Sequence, residues 1–105
     1  MEIKFCKNRI NLIHSFGISR SSNDYYDIIY IYIIDGDIIA RGEAAPSKRY
    51  NESAELILSV LNRGLKVPES SGSKENLWDF LKPQLNGISS LEVAVNMAVW
   101  DWSAQ

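Results

Sequence analysis

The pattern of apolar residues changes once along this chain, and that change constrains the fold more than any other feature. Residues 24–34 have the sequence DYYDIIYIYII, a run of β-branched and aromatic residues that is typical of a strand. From Asn51 onward the apolar side chains recur every three or four residues, which is the spacing of one face of an α-helix. A strand-rich first part followed by a helical second part predicts an α+β fold.

Three strands are predicted in the first part, over residues 1–14, 24–34 and 38–45. The Asp35-Gly36 pair between the second and third strands is a strong short-range signal for a β-hairpin. A cluster of polar residues interrupts the first strand, so we expect a β-bulge near Asn8. Sequential strands with these connections predict a three-stranded antiparallel meander.

About three helices are predicted in the second part. The first has an apolar face, with Glu52 and Glu55 in its first turn, where negative charge suits the helix dipole. Gly64 is expected to end it. Ser73 is expected to cap the second helix, and Pro83 to end or kink it.

The third predicted helix runs to the end of the sequence and is apolar almost all round. Ser89 and Glu92 have the spacing of a capping box at its start. A helix with apolar residues on every side is expected to be covered by protein on most sides.

Length and composition exclude several classes of protein. A chain of 105 residues is one ordinary domain, and a formal net charge of −2 argues against a nucleic-acid binder. Residues 28–34 form the longest uncharged apolar run, far short of the ~20 residues of a membrane-spanning helix. We therefore expect a soluble, cytoplasmic protein with no membrane and no nucleic-acid partner. Cys6 cannot form an intramolecular disulfide, and we expect it to be a small buried apolar residue rather than a reactive thiol.

The residues themselves indicate no active site. Cys6 and His14 are too few for a zinc site and too far apart along a strand for a catalytic dyad. Two segments at strand ends are more distinctive, because they combine aromatic, apolar and basic residues: Phe16, Ile18 and Arg20 in the first, and Lys48, Arg49 and Tyr50 in the second. An arginine beside an aromatic wall is suited to binding a carboxylate, whereas the alternative is two simply solvated loops.

Three segments carry a resemblance to a known family. Residues 15–22 (SFGISRSS) resemble the P-F-x-I-x-R-G-S loop of dipeptide epimerases in the enolase superfamily, which includes the mandelate racemase and muconate lactonizing enzymes. Residues 42–53 (GEAAPSKRYNES) resemble the G-E-x-x-P-x-x-R-Y-G-E-S stretch of the same enzymes. Residues 94–101 (AVNMAVWD) are similar to the A-x-x-M-A-L-W-D helix of the superfamily. The three matches occur in the family's order and span nearly the whole chain.

The resemblance implies that residues 1–105 are an N-terminal capping domain, and that the catalytic (β/α)₇β barrel is absent from this chain. In that family the barrel supplies two catalytic lysines and three carboxylates that bind Mg²⁺, so the parent protein would be a Mg²⁺-dependent isomerase of the racemase or epimerase kind. No catalytic or metal-binding residue is then expected within this chain. The cap would select a dipeptide substrate of the L-Ala-D/L-Glu type.

The resemblance also implies roles for five residues. Arg20 would bind the distal carboxylate of the substrate, Arg49 would be a second, weaker cationic group, and Phe16, Ile18 and Tyr50 would shape the pocket. Two other interpretations remain open. The chain could be the cap of a muconate cycloisomerase-like or o-succinylbenzoate synthase-like enzyme, or it could be a free-standing, non-enzymatic dimerising domain.

An uncovered third helix has a further consequence. Without a barrel, the apolar surface around Trp100 and Trp102 is expected to promote a homo-oligomer.

Overall fold

A computed structural model describes residues 1–11, 25–46, 52–69 and 72–105 of the chain. Their elements are three strands and then three helices: β1 (Glu2–Asn11), β2 (Tyr25–Asp35), β3 (Ile38–Ala44), α1 (Ala54–Asn62), α2 (Lys74–Leu81) and α3 (Ser89–Ala104). The strands form one antiparallel sheet in the order β1-β2-β3. The predicted α+β fold, a three-stranded meander followed by helices, is confirmed.

The hairpin between β2 and β3 forms where the Asp-Gly pair predicted it. Asp35 pairs with Ile38, which leaves Gly36 and Asp37 as a two-residue turn. Gly36 has φ of 60°, a left-handed conformation that glycine adopts without steric cost.

The predicted bulge near Asn8 is wrong. The β1–β2 ladder is continuous from the Glu2–Ile34 pair to the Asn11–Tyr25 pair, and Asn8 lies directly opposite Ile28. Polar residues occupy this part of β1 because their side chains are exposed, and not because the strand is interrupted.

The two faces of the sheet differ in burial. The inner face, which packs on the helices, carries the fully buried side chains of Ile29, Ile31 and Ile33 on β2 and the buried β3 residues Ala40, Gly42 and Ala44. The outer face carries the alternate residues: Glu2, Lys4 and Cys6 on β1, Ile28, Tyr30, Tyr32 and Ile34 on β2, and Ile39, Arg41 and Glu43 on β3. Cys6 is therefore exposed, and its predicted burial is wrong, because the alternation of β1 directs it to the outer face.

Helix α3 lies very close to β3, and a glycine makes this approach possible. A Cβ atom added to Gly42 would overlap the carbonyl oxygen of Ala94 and would lie 3.2 Å from the backbone nitrogen of Ala98. Gly42, Ala94 and Ala98 are all buried. Small residues on both elements thus allow two backbones to meet at this crossing.

Side chains of α3 and of its C-cap residue also bind the backbone of β3. The Arg41 N–H donates to Asp101 Oδ2 at 2.9 Å, and Gln105 Nε2 donates to the carbonyl oxygen of Ile39 at 3.1 Å. These bonds satisfy backbone groups on a strand that has only one neighbour in the sheet.

The Ser73 cap of α2, the end of α1 near Gly64 and the break near Pro83 are confirmed, whereas no cap of α1 was predicted from the sequence. The N-cap hydroxyls of Ser53 and Ser73 accept from Leu56 N and Asn76 N, respectively. Gly64 follows the last residues of α1 with φ of 85°, and Pro83 lies in the 3₁₀ turn Lys82–Leu85 that continues α2.

The predicted capping box of α3 is wrong. The N-cap residue is Ile88, which makes no side-chain cap, and the Ser89 hydroxyl donates to the carboxylate of Glu52 rather than serving the helix backbone. Glu52 also lies outside the first turn of α1, which begins at Ala54 and retains only Glu55 as an acidic residue in that turn.

In the part of the chain that the structure describes, no helix has both the length and the apolar character needed to cross a membrane.

Candidate functional site

The five residues predicted to bind substrate lie outside the described residues. Phe16, Ile18 and Arg20 fall in segment 12–24, and Arg49 and Tyr50 fall in segment 47–51. Their roles therefore stay predictions. The described residues do establish where each of these segments is attached to the fold.

Both segments are attached at the same end of the sheet. Segment 12–24 joins Asn11 to Tyr25, which are paired as neighbours at the end of the β1–β2 ladder. β3 runs toward that end and finishes at Ala44, opposite Ile29 of β2. The end of β3 thus lies opposite a position four residues from Tyr25 along β2, or ~14 Å, and the chain continues to Pro46 before segment 47–51 begins. The fold therefore places the attachment points of these two segments at one end of the sheet.

An ion pair joins β1 and β2 close to this end. Arg9 Nε donates to Asp27 Oδ1 at 3.0 Å, and a second guanidinium nitrogen lies 3.4 Å from Oδ2. The hydrogen bonds and charge of Arg9, with a smaller contribution from Lys7, hold the pKa of Asp27 below its usual value, although partial burial opposes the shift. The stabilisation is therefore present at neutral pH and is lost as the pH falls through the depressed pKa of Asp27.

Glu52 anchors the other segment where it rejoins the described fold. Its side chain is only 8% exposed, although it follows segment 47–51 directly. One carboxylate oxygen accepts from the Ser89 hydroxyl at 2.7 Å and from the Ser90 N–H at 3.4 Å. The carboxylate thus satisfies a backbone donor at the N-terminus of α3, where the helix dipole also favours a negative charge. The sequence placed Glu52 in α1 and missed this contact.

A cleft of about 580 Å³ lies beside this carboxylate. Its walls are Glu52, Leu56, Gly87, Ile88 and Ser89. The cleft has one acidic group, which is already bound to α3, so its described walls provide a structural anchor rather than a catalytic pair.

Replacement of Glu52 by glutamine is expected to lower the free energy of unfolding by about 1–2 kcal/mol, because the change removes a charge-assisted bond and the interaction with the helix dipole. Urea denaturation of the purified chain measures this cost. Glu55→Gln is the matched control, since Glu55 is an exposed residue in the first turn of α1, and it should cost less than about 0.5 kcal/mol. Equal losses in the two variants would contradict an anchoring role for Glu52.

The third helix presents one apolar stripe to solvent. Val93, Met97 and Trp100 are 58%, 48% and 58% exposed, and their spacing places them on one side of α3. The Nζ atom of Lys74 lies 3.4 Å from the ring centroid of Trp100, an arrangement that attracts a cation to the ring.

The predicted exposure of Trp102 is wrong. Trp102 is only 9% exposed, and its Nε1 donates to Oδ2 of Asp35, the last residue of β2, at 2.9 Å. The uncovered surface expected around Trp100 and Trp102 therefore includes Trp100 and excludes Trp102.

The described residues form no candidate metal site. Within residues 1–11, 25–46, 52–69 and 72–105, no group of three or more His, Cys, Asp or Glu side chains is placed to hold a metal ion. These residues therefore do not fit a Mg²⁺ site.

Comparison with known proteins supports the resemblance that the motifs indicate. No family model matches the sequence. An L-Ala-D/L-amino acid epimerase from Pedosphaera parvula is 28% identical over 110 aligned positions, which cover 100% of this chain and 31% of that protein. The chain thus spans about a third of the length of this curated relative, in its N-terminal part.

A solved structure is also similar. It is an enolase family member from Agrobacterium tumefaciens with homology to dipeptide epimerases, determined with bound sodium and L-Ala-L-Glu and with an ordered loop. It is 25% identical to this chain, with a TM-score of 0.45, and the match covers 82% of this chain and 31% of that one. The similarity to the curated epimerase along the whole chain confirms the resemblance to dipeptide epimerases.

Proposed function

We propose that this chain, which resembles the N-terminal part of a dipeptide epimerase, is the substrate-selecting cap of such an enzyme. The observation that carries this proposal is the similarity to an L-Ala-D/L-amino acid epimerase along the entire chain. That match includes all three motifs, of which two contain the predicted substrate-binding residues.

The positions at which the two segments are attached to the described fold support the proposal. Segments 12–24 and 47–51 leave the same end of the sheet, where the Arg9–Asp27 pair joins two strands and Glu52 is bound to α3. Binding residues carried on loops are positioned by the rigid elements that flank them. A cap built in this way would present both segments together to one substrate.

Within this proposal, Arg20 binds the distal carboxylate of a dipeptide and Arg49 contributes a second, weaker positive charge. Phe16, Ile18 and Tyr50 shape the pocket around the guanidinium and the carboxylate. Closing such a cap excludes water, which strengthens the attraction between the guanidinium and the carboxylate. The cap would thereby favour dipeptides with an acidic second residue.

The remaining chemistry is assigned to a catalytic domain outside this chain. Epimerisation requires that a proton be removed from a carbon next to a carbonyl group and returned to the opposite face, which calls for two bases. The family implies that Mg²⁺ stabilises the resulting negative charge, but the described residues do not fit such a site, so we assign the metal to that other domain as well. The exposed stripe of Val93, Met97 and Trp100 would then pack against it.

The isolated 105-residue chain is expected to show no exchange of the Ala-Glu α-proton, with or without Mg²⁺, because it supplies neither base. A protein that joins this chain to its catalytic domain should incorporate deuterium at that carbon in deuterium oxide, as measured by NMR. Exchange by the isolated chain would contradict the assignment of the bases to another domain. Turnover of a muconate or an o-succinylbenzoate precursor, with no exchange in any dipeptide, would favour the alternative members of the superfamily.

A further inference from the structure

The outer face of the sheet has an apolar centre and a mostly polar margin. Four residues of β2 form a ridge down the middle: Ile28, Tyr30, Tyr32 and Ile34. Four of their neighbours on the edge strands are charged, namely Glu2 and Lys4 on β1 and Arg41 and Glu43 on β3; the others are Cys6, Asn8 and Ile39. An apolar patch with a polar rim is typical of a surface that binds another protein.

The described helices leave this face uncovered. They pack on the inner face, against Ile29, Ile31 and Ile33, so residues on the other side of the same strands retain access to solvent. Ile39 on the outer face is 61% exposed, the largest exposed fraction among the large apolar side chains of the described chain.

We propose that the outer face binds a second copy of this chain, with the two sheets packed face to face. The two-fold axis lies in the plane of the interface, perpendicular to the strands, and passes between Tyr30 and Tyr32. Each ridge residue and its paired neighbours on the edge strands form one row across the sheet. Because the ridge has four rows, only an axis midway between the second and third rows places every row against a row of the other copy. This proposal does not depend on the proposed enzymatic function.

Charge complementarity selects this arrangement. Tyr32 is paired with Arg41 across the sheet, and Tyr30 is paired with Glu43. The rotation reverses the order of the rows, so that Arg41 of one copy faces Glu43 of the other, twice in each dimer. In a single copy Arg41 Nη2 forms an ion pair with Glu43 Oε1 at 3.6 Å, and the guanidinium carbon lies 5.6 Å from the ring centroid of Tyr30. The two side chains remain 57% and 43% exposed, so a partner can still reach them.

The same rotation matches the apolar rows. Tyr32 faces Tyr30 of the second copy, and Ile34 faces Ile28. Packed sheets lie about 10 Å apart and align their strands to within about 30°, a geometry in which such side chains interdigitate.

The other face-to-face two-fold is unfavourable. An axis along the strands would place β1 of one copy over β3 of the other within the same row. Lys4 and Arg41 share the row of Tyr32, so two pairs of like charges would meet.

The size of the face sets the strength of the dimer. Three strands about 4.8 Å apart and four rows about 6.8 Å apart make a footprint below the ~800 Å² per partner of a standard interface. We therefore expect a dimer that dissociates in the micromolar range, and sedimentation equilibrium from about 10 to 500 μM covers this range.

Charge reversal tests the proposal. Arg41→Glu and Glu43→Arg should each weaken the dimer at least about tenfold, because the symmetry replaces two attractive pairs with two repulsive ones. An equimolar mixture of these two variants should associate again, within about threefold of the wild-type affinity, since each copy then faces opposite charges. A pair acting only within one copy would not produce this rescue.

Two further variants complete the test. Met97→Lys, on the exposed stripe of α3, removes any association through that stripe and should leave the outer-face dimer and its Arg41/Glu43 rescue in place, whereas Tyr32→Lys should abolish that dimer; circular dichroism establishes that each variant is folded. A wild-type chain that is monomeric up to 500 μM, a mixture that stays monomeric, or a dimer abolished by Met97→Lys would each overturn the proposal. The last result would assign self-association to α3 instead.

Discussion

Replacement of Gly42 by alanine is expected to lower the free energy of unfolding by roughly 3–4 kcal/mol, and the midpoint of thermal unfolding by at least about 12 °C. The added Cβ would overlap the carbonyl oxygen of Ala94 and lie 2.8 Å from its carbonyl carbon. Both are backbone atoms of α3, so no side chain can rotate away and the whole helix must shift from β3. Thermal unfolding followed by circular dichroism measures the effect.

A control variant at a second glycine, Gly64→Ala, distinguishes the effect of steric overlap from the effect of losing the conformational freedom of glycine. A Cβ atom added at Gly64 would have no other atom within 4 Å, but Gly64→Ala places a side chain on a residue with φ of 85°. Its cost should be only about 1 kcal/mol, which is the usual penalty for a left-handed residue after a helix. If Gly42→Ala unfolded within a few degrees of the wild type, or no lower than Gly64→Ala, the close approach of α3 to β3 would be contradicted.

Local signals predicted much of the fold. The Asp35-Gly36 hairpin, the Ser73 cap and the end of α1 at Gly64 each depend on a few consecutive residues whose backbone preferences agree with the final structure. The change of hydrophobic period likewise separated the strands from the helices, because each element buries only one face.

Contacts between distant residues were not predictable in this way. Glu52 accepts hydrogen bonds at the start of a helix that begins 37 residues later, and the buried Trp102 donates to Asp35, 67 residues earlier. Neither periodicity nor propensity contains such pairings, so Glu52 was assigned to the wrong helix and Trp102 to the surface.

The motifs contained a signal for these contacts without giving their cause. Gly42, Glu52 and Asp101 all lie at positions that match the family's motifs. In the structure Gly42 allows the close approach of α3 and Glu52 binds the start of α3. Asp101 accepts a hydrogen bond from the backbone of β3. The resemblance therefore marked residues that hold α3 in place, as well as those proposed to bind substrate.

Replacement of Arg20 by methionine, in a protein that contains both this cap and its catalytic domain, is expected to cost about 2–4 kcal/mol in transition-state binding of a dipeptide with an acidic second residue. That loss corresponds to a decrease of roughly 30- to 1000-fold in kcat/KM. The reason is the loss of a charge-assisted bond to a carboxylate that the closed cap removes from water. Dipeptides with an apolar second residue lack this carboxylate and should be much less affected.

Arg49→Met is the matched control, because it removes an equal charge from the other segment. Its effect on acidic dipeptides should be smaller than that of Arg20→Met, in keeping with a weaker contribution from Arg49.

The ratio of kcat/KM for L-Ala-L-Glu to that for L-Ala-L-Leu, compared between the wild type and Arg20→Met, tests the substrate-selecting role of the cap most directly. Our account predicts that this ratio falls by about 30-fold or more in the variant, because only the acidic dipeptide loses an interaction. An equal decrease for both dipeptides would show that Arg20 supports the structure of its segment, and would contradict substrate selection by this residue.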